Sequence, residues 1–217
     1  MTGRRMLFLP LLVFFLSACA GPPALTPVSK ESACGLRFFM EGDWQFLHRL
    51  SFVVSGRRAP SLLGVTVVSS HRRSLKTALM TAEGVVLFEA ESSDAVLVRK
   101  SLPPFDRPGF AEGLMADVRM LFLPPAGAPF AAGIAPDGAL VCRYRGPDGE
   151  ILDTVKTASD RRQIHRYDAD GRRIRTAVLE KGAPAAGRMV LTASGGADYR
   201  IEMEAVEAVR LDRECLK

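Results

Sequence analysis

The stretch GRMVLTASGGADYRIEMEAV, residues 187–206, carries the pattern that decides the fold. In its second half Tyr199, Ile201 and Met203 lie on one side of an extended chain, and charged residues occupy the positions between them. This period of two is typical of an antiparallel strand with one covered face and one solvated face. The intervening SGGA indicates a turn, so the stretch predicts a hairpin of two strands.

Short apolar runs separated by polar turns recur on both sides of a central segment. Five short apolar runs lie between residues 44 and 101 and six lie between residues 139 and 206, separated by polar turns such as SGRRAP, GPDG and DADG. Because twist accumulates from strand to strand, an antiparallel sheet of about eleven strands must curl. The sequence therefore predicts a mainly β fold, either a curled antiparallel sheet or an incomplete barrel.

The central segment predicts one α-helix at about residues 109–122. Its apolar residues recur every three or four positions and form one stripe: Phe110, Leu114, Val118 and Leu121. Pro108 precedes the segment and Pro124 follows it, as expected at the two ends of a helix. An amphipathic helix must bury its stripe, so we expect this helix to cover the concave face of the sheet.

A hydrophobic cavity is expected between the helix and the sheet. Ten apolar residues are its predicted lining: Phe52, Val65, Val67, Leu79, Phe88, Val98, Leu114, Val118, Ile201 and Met203. The same residues fit a dry core that the helix fills completely. The sequence leaves this choice open, because both arrangements need the same apolar pattern.

The N-terminal stretch LLVFFLSACAGPPALTP, residues 11–27, joins an apolar run to a lone cysteine and a proline-rich segment. Two arginines precede the run, and its length suits a signal peptide but is too short for a membrane-spanning helix. Residues 16–19, LSAC, resemble a bacterial lipobox, in which the cysteine thiol is diacylated before cleavage. We therefore expect lipidation of Cys19. An ordinary secretory signal cleaved after Ala18, or a membrane anchor, is the alternative.

This assignment divides the chain into three parts: a signal peptide (residues 1–18), a lipidated flexible tether (residues 19–43) and a β domain (residues 44–217). Because Ala20 and not an aspartate directly follows Cys19, similarity to enteric lipoproteins implies the periplasmic face of the outer membrane. The lipid would make the membrane a partner. The net charge of the whole chain is +5, which is too small to indicate nucleic-acid binding.

Three further cysteines, Cys34, Cys142 and Cys215, lie in a compartment that permits disulfides. Many folds bring their termini together, so we expect Cys34 and Cys215, near opposite ends of the domain, to pair. Cys142 lies within an apolar strand pattern and is interpreted as a small buried hydrophobe. The cysteines and histidines do not share the spacing of metal ligands, so neither a metal nor another cofactor is predicted.

No nucleophile elbow, HExxH motif, phosphate loop or dinucleotide fingerprint occurs, and the sequence does not predict an enzyme. Basic clusters lie at residues 71–73, 160–166 and 171–175. They fit contact with anionic lipid head groups or an acidic partner. They equally fit a solvated surface that protects strand edges.

Residues 45–210 resemble the LolA/LolB superfamily of lipoprotein carriers, and LolB-like outer-membrane lipoproteins in particular. The likeness rests on the lipobox, the five-strand meander, the proline-bounded helix FAEGLMADVRMLFLPP and the closing hairpin. It implies an incomplete barrel whose hydrophobic cavity holds acyl chains under a helix. One departure is the turn Thr81–Gly84, which lacks the large apolar residue that LolB carries on the corresponding loop.

Two functions follow from these patterns. The first is a carrier or acceptor of acyl chains, which takes lipoproteins or another lipidated product as cargo and a periplasmic carrier protein as partner. The second is a non-enzymatic docking or assembly lipoprotein of the cell envelope with a filled core. A hydrolase would need a nucleophile and a base clustered in a cleft, and no motif indicates them.

Overall fold

The computed structural model describes residues 21–34, 38–195 and 198–211. In these ranges fourteen strands form one antiparallel sheet. The strands are β1 (Thr26–Pro27), β2 (Asp43–Val54), β3 (Arg57–Arg58), β4 (Leu62–Ser69), β5 (Ser74–Met80), β6 (Val86–Ser92), β7 (Val96–Ser101), β8 (Ala131–Ile134), β9 (Leu140–Arg145), β10 (Ile151–Lys156), β11 (Arg162–Tyr167), β12 (Arg173–Leu179), β13 (Arg188–Ala193) and β14 (Tyr199–Arg210). The α-helices are α1 (Lys30–Cys34) and α2 (Phe110–Phe122), and Pro147–Gly149 form a 3-10 turn.

The order of strands brings the two ends of the β domain together. From one edge the sheet runs β1, β8 through β14, β2 and then β4 through β7, with β3 paired to β2. The long strands β14 and β2 are neighbours, with Tyr199 opposite Val54 and Arg210 opposite Trp44. The sheet is not closed, because β1 and β7 are its two edges. The predicted fold class is confirmed: all eleven expected strands are present, and β1, β3 and β8 are short additions.

Helix α2 crosses the concave side of the sheet, which we call the inner face. Its first ring, Phe110, lies 5.4 Å from Phe88, and its last, Phe122, lies 5.2 Å from Phe46, measured between centroids. Gly109 precedes the helix with a φ of 75°, a conformation that glycine adopts without strain. The predicted helix is confirmed, and it starts and stops where its flanking prolines indicate.

The segment 21–34, which we call the N-terminal clasp, lies against the sheet although the sequence places it in a flexible tether. Leu25 packs on the outer face against Val141 and Val155. Strand β1 then pairs with the edge of β8. Gly133 is needed there, because a Cβ at this position would lie 2.5 Å from the carbonyl oxygen of Thr26.

The clasp continues around the edge to the inner face, where α1 contacts β8 and β9. Cys34 forms a disulfide with Cys142, with 5.2 Å between the two Cα atoms. The expected Cys34–Cys215 pairing is therefore wrong. Cys142 is buried, as expected, but it is a disulfide partner and not simply a small hydrophobe. The first and last long strands, β2 and β14, do meet, but Cys34 lies on the clasp, which runs instead to β8 and β9 in the middle of the sequence. Cys215 lies outside the described residues.

Neither helix in the described ranges is long and apolar enough to cross a membrane.

The disulfide allows a direct test of the clasp. We expect the double variant Cys34→Ser, Cys142→Ser to lose about 3 to 4 kcal/mol of unfolding free energy, because the bond closes a long loop. Urea unfolding under non-reducing conditions would measure this loss. The control is Cys215→Ser, which keeps the bond and should unfold like the wild-type domain. A peptide map that joins Cys34 to Cys215 would contradict the structure.

Candidate functional site

The space between α2 and the inner face is almost filled. The cavity there has a volume of about 40 Å³. That is room for about one water molecule, whereas ligand pockets measure about 300 to 1,000 Å³. Six of the ten predicted lining residues do surround it: Phe52, Leu79, Leu114, Val118, Ile201 and Met203.

The other four predicted residues lie elsewhere. Phe88 is fully buried in the core against Phe110. Val65 and Val67 point to the outer face of β4, because the alternate positions Gly64 and Thr66 line the inner cavity. Val98 is 41% exposed on the edge strand β7. These four do not line the cavity under the helix.

Steric fit explains why the apolar pattern of β4 predicted the wrong face. A Cβ at Gly64 would lie 2.8 Å from Cδ1 of Leu50, so glycine lets that leucine pack against the inner face without moving. The Thr66 hydroxyl lies 3.3 Å from the Thr77 hydroxyl, which in turn donates to the Val65 carbonyl oxygen. The threonines can therefore be buried without an unpaired hydroxyl. Residue type alone made Val65 and Val67 the better inner candidates.

A larger cleft lies on the opposite flank of α2, where the two arms of the curled sheet face each other across the helix. Its volume is about 670 Å³, within the range of ligand sites. One wall is the end of β6 and the turn into β7, residues 92–96. The other wall is formed by residues 144–152 and Arg166, and the helix and the following residues 123–126 form the floor.

The cleft combines an apolar floor with a charged rim. Ala116, Ile151 and Leu152 contribute accessible apolar surface, whereas the nearly buried Met115 and Met120 lie beneath it. Charged side chains of both signs surround this floor: Arg73, Asp94, Glu112, Arg119, Arg145, Glu150 and Arg166. Such a lining suits an amphiphile, with an acyl chain on the floor and a polar group at the rim.

Polar contacts within one wall, and between the helix and the other wall, fix the rim of the cleft. Arg166 and Glu150 form an ion pair with a nitrogen–oxygen distance of 2.6 Å. Arg119 donates to the Ser92 hydroxyl at 2.8 Å and the Ser93 carbonyl oxygen at 2.9 Å. Burial lowers the pKa of the Arg119 guanidinium, and the positive charge of Arg73 lowers it further. Arg119 therefore joins the helix to the β6–β7 turn.

On the other side of the same helical turn, a buried group of polar side chains joins α2 to β12 and β14. Asp117, 2% exposed, accepts a hydrogen bond from Nε of Arg175 at 3.0 Å and another from the hydroxyl of Tyr199. The Arg175 guanidinium also lies over the Tyr199 ring. Burial raises the pKa of the Asp117 carboxyl, and the hydrogen bonds partly oppose the shift. Sequence analysis placed Arg175 in a basic surface cluster, but it faces inward.

His48 and His165 both lie on strands and have hydrogen-bond partners other than a nucleophile. His48 is buried, with Nε2 3.1 Å from the Pro184 carbonyl oxygen, and burial lowers its pKa. His165 lies on β11 with Nε2 2.9 Å from the side-chain oxygen of Gln163. Neither histidine forms a hydrogen bond with a serine or cysteine in the described part of the chain. That part also contains no group of three His, Cys, Asp or Glu residues that could hold a metal.

Comparisons with known proteins place the fold. No family model and no curated protein matches the sequence. Among solved structures, the chain resembles LolA superfamily protein NE2245 from Nitrosomonas europaea, with a TM-score of 0.52 and 9% identity over 81% of this chain and 90% of that chain. The chain also resembles a putative outer membrane lipoprotein-sorting protein domain from Vibrio parahaemolyticus, with a TM-score of 0.46 and 13% identity over 80% of this chain and 88% of that chain. The first of these likenesses shows that the chain shares the fold of that LolA superfamily protein, and the fold that the sequence resemblance implied is confirmed.

Removal of the Asp117 carboxylate should destabilise the domain. Asp117→Ala leaves Arg175 without its buried partner, so we expect a loss of about 3 kcal/mol in unfolding free energy. The control is Glu204→Ala, which breaks the exposed Arg49–Glu204 pair and should cost less than about 1 kcal/mol. Urea unfolding of both variants measures the difference. Equal losses would show that the Asp117 cluster does not hold the helix.

The half-buried His165 should make stability depend on pH. Burial chiefly, with a contribution from Arg173, lowers its pKa from 6.5 to about 4. Its contribution to stability is therefore full above pH 6.5 and is lost as the pH falls toward 4. Between these limits we expect the wild-type domain to lose about 2 to 3 kcal/mol more than His165→Gln. Exposed His71→Gln is the control, and its pH profile should follow the wild type.

Proposed function

We propose that this protein is a lipid-anchored envelope protein that binds acyl chains in the cleft beside α2. Its anchor is the lipid on Cys19, and the composition after this residue favours the periplasmic face of the outer membrane. The bound cargo is a lipoprotein or another lipidated product, which a periplasmic carrier protein delivers or receives. The role is binding rather than catalysis, and it uses no cofactor.

The observation that carries this proposal is the contrast between the two cavities. The space under the helix measures about 40 Å³ and the cleft beside it about 670 Å³. An acyl chain can enter the cleft without displacement of the helix, whereas the interior would first have to open. The cleft, and not the inner cavity expected from the sequence, is therefore the proposed binding site.

The chemistry of the cleft supports an amphiphilic ligand. The half-buried Ala116, Ile151 and Leu152 supply apolar surface to the cleft, and the nearly buried Met115 and Met120 lie beneath it. Four arginines and three carboxylates line the rim. They could bind the polar end of a lipidated molecule through charge-assisted hydrogen bonds.

The filled interior favours the second function, a docking or assembly lipoprotein. In that case the cleft would receive a protein segment and no acyl chain. The turn Thr81–Gly84 is not suited to insertion into a membrane, since Ala82, Glu83 and Gly84 carry no large apolar side chain. The exposed Val85 follows directly. Delivery of lipoproteins into a membrane by this turn is not part of the proposal.

Acyl binding in the cleft can be tested with residues 20–217, exported without the lipid. Ala116 is half-buried on the cleft side of α2, so Ala116→Glu places a carboxylate on the apolar floor. We expect this variant to bind a fluorescent fatty acid at least about tenfold more weakly, because a buried charge costs more than 1.4 kcal/mol.

The matched control is Ala82→Glu, the same change at an exposed turn away from the cleft. It should bind the probe like the wild-type domain, and circular dichroism should show that both variants are folded. Native mass spectrometry after export would also reveal an acylated ligand carried over from the cell. A wild-type domain that binds neither probe nor lipid would favour the docking function.

A further inference from the structure

Gly21 lies beside the turn that joins β11 to β12. A Cβ at Gly21 would lie 4.0 Å from the Gly171 carbonyl oxygen, and a Cβ at Gly171 would lie 3.4 Å from Cδ of Pro22. Gly171 belongs to the turn that joins β11 to β12. Gly21 therefore lies at this turn, and not beside the clasp's disulfide or at the edge of the sheet.

Several independent contacts hold the clasp in this position. The guanidinium of Arg143 donates to the Pro23 carbonyl oxygen at 3.1 Å. The same guanidinium makes two hydrogen bonds of 2.8 Å to Asp153, which is 1% exposed. Pairing of β1 with β8 and the Cys34–Cys142 disulfide fix the rest of the segment. Residues that would form a long leash if free are thus part of the fold.

Only Ala20 separates Cys19 from Gly21. Consecutive Cα atoms are 3.8 Å apart, so the Cα of Cys19 lies within about 8 Å of that of Gly21 in any conformation. A free tether over residues 20–43 would instead reach about 80 Å when fully extended. The clasp therefore shortens the connection between anchor and domain by about an order of magnitude.

We propose that the end of the domain that carries the β11–β12 turn, residues 168–172, docks against a lipid bilayer. We call this end the anchor rim. The inference rests on the proposed acylation of Cys19, because acyl chains on that residue must lie in the bilayer. Their short connection then holds the anchor rim at the membrane surface.

The covalent anchor, rather than charge, sets this orientation. Near the anchor the rim carries the exposed Arg172 beside the acidic residues Asp168 and Asp170, and Arg172 lies 3.7 Å from Asp170. Charges of both signs so close together give little net attraction to an anionic surface. We therefore expect the same orientation on neutral and on anionic vesicles.

This orientation places one wall of the cleft beside the membrane. A Cβ at Gly149 would lie 3.6 Å from the Cβ of Ala169, so the β9–β10 turn adjoins the turn at the anchor. Gly146, Pro147 and Glu150 of that connection line the cleft. An acyl chain could therefore pass between bilayer and cleft while the domain stays in place.

Site-specific quenching tests the orientation in the full lipidated chain on vesicles with nitroxide-labelled head groups. All variants carry Cys215→Ser, and a fluorophore is attached at Asp170→Cys on the rim or at Ser159→Cys in the β10–β11 turn. These turns lie at opposite ends of β11, about 20 Å apart. We expect several-fold stronger quenching at position 170, on both neutral and anionic vesicles. Equal quenching at both positions, in a chain that floats with the vesicles, would overturn this inference and leave acylation standing.

A second variant tests whether the short connection is the cause. Twelve Gly/Ser residues inserted between Ala20 and Gly21 would add a leash of about 20 Å root-mean-square length. We expect this insertion to abolish the difference between the two labelled positions. A difference that persists would overturn the anchor argument. A chain that does not float with vesicles would overturn the acylation of Cys19, and this inference with it.

Discussion

One long helix, α2, has to cover most of the concave side of an open sheet, and most of the structure depends on this constraint. Helix α2 has 13 residues, so it is about 20 Å long and cannot cover the whole inner face. Where it lies directly on the sheet, aromatic side chains fill the space and almost no cavity remains. Where the arms of the sheet diverge beside it, an open cleft is left. The filled core and the cleft are two results of the same geometry.

Polar contacts determine where along this face the helix lies. Asp117 and Arg119 are two residues apart and point to different sides of the helix, since each residue turns the side-chain direction by about 100°. Asp117 contacts β12 and β14, whereas Arg119 contacts the β6–β7 turn. A hydrophobic stripe alone would tolerate sliding or rotation. Buried polar partners permit one position, because any other would leave them unsatisfied. The width of the cleft follows from that position.

An open sheet also has two edges that expose unpaired backbone groups. The clasp covers one edge, where β1 pairs with β8 and the disulfide joins the segment to β9. The other edge, β7, is short and carries Arg99 and Lys100, charged residues that oppose pairing with another chain. Covering the first edge has a further consequence, since the chain that covers it also leads to the anchor.

The sequence by itself determined the strands, the helix and the curl. Alternation in residues such as Tyr199 to Met203, and prolines on both sides of α2, are local signals that neighbouring residues carry whatever the rest of the chain does. The cleft and the disulfide had no such signal. Their residues come from distant segments, and a list of apolar positions does not say which face Val65 takes or that Cys34 reaches Cys142. Only the tertiary structure decided these points, because they depend on steric fit between segments, such as Leu50 above Gly64 and Thr26 beside Gly133.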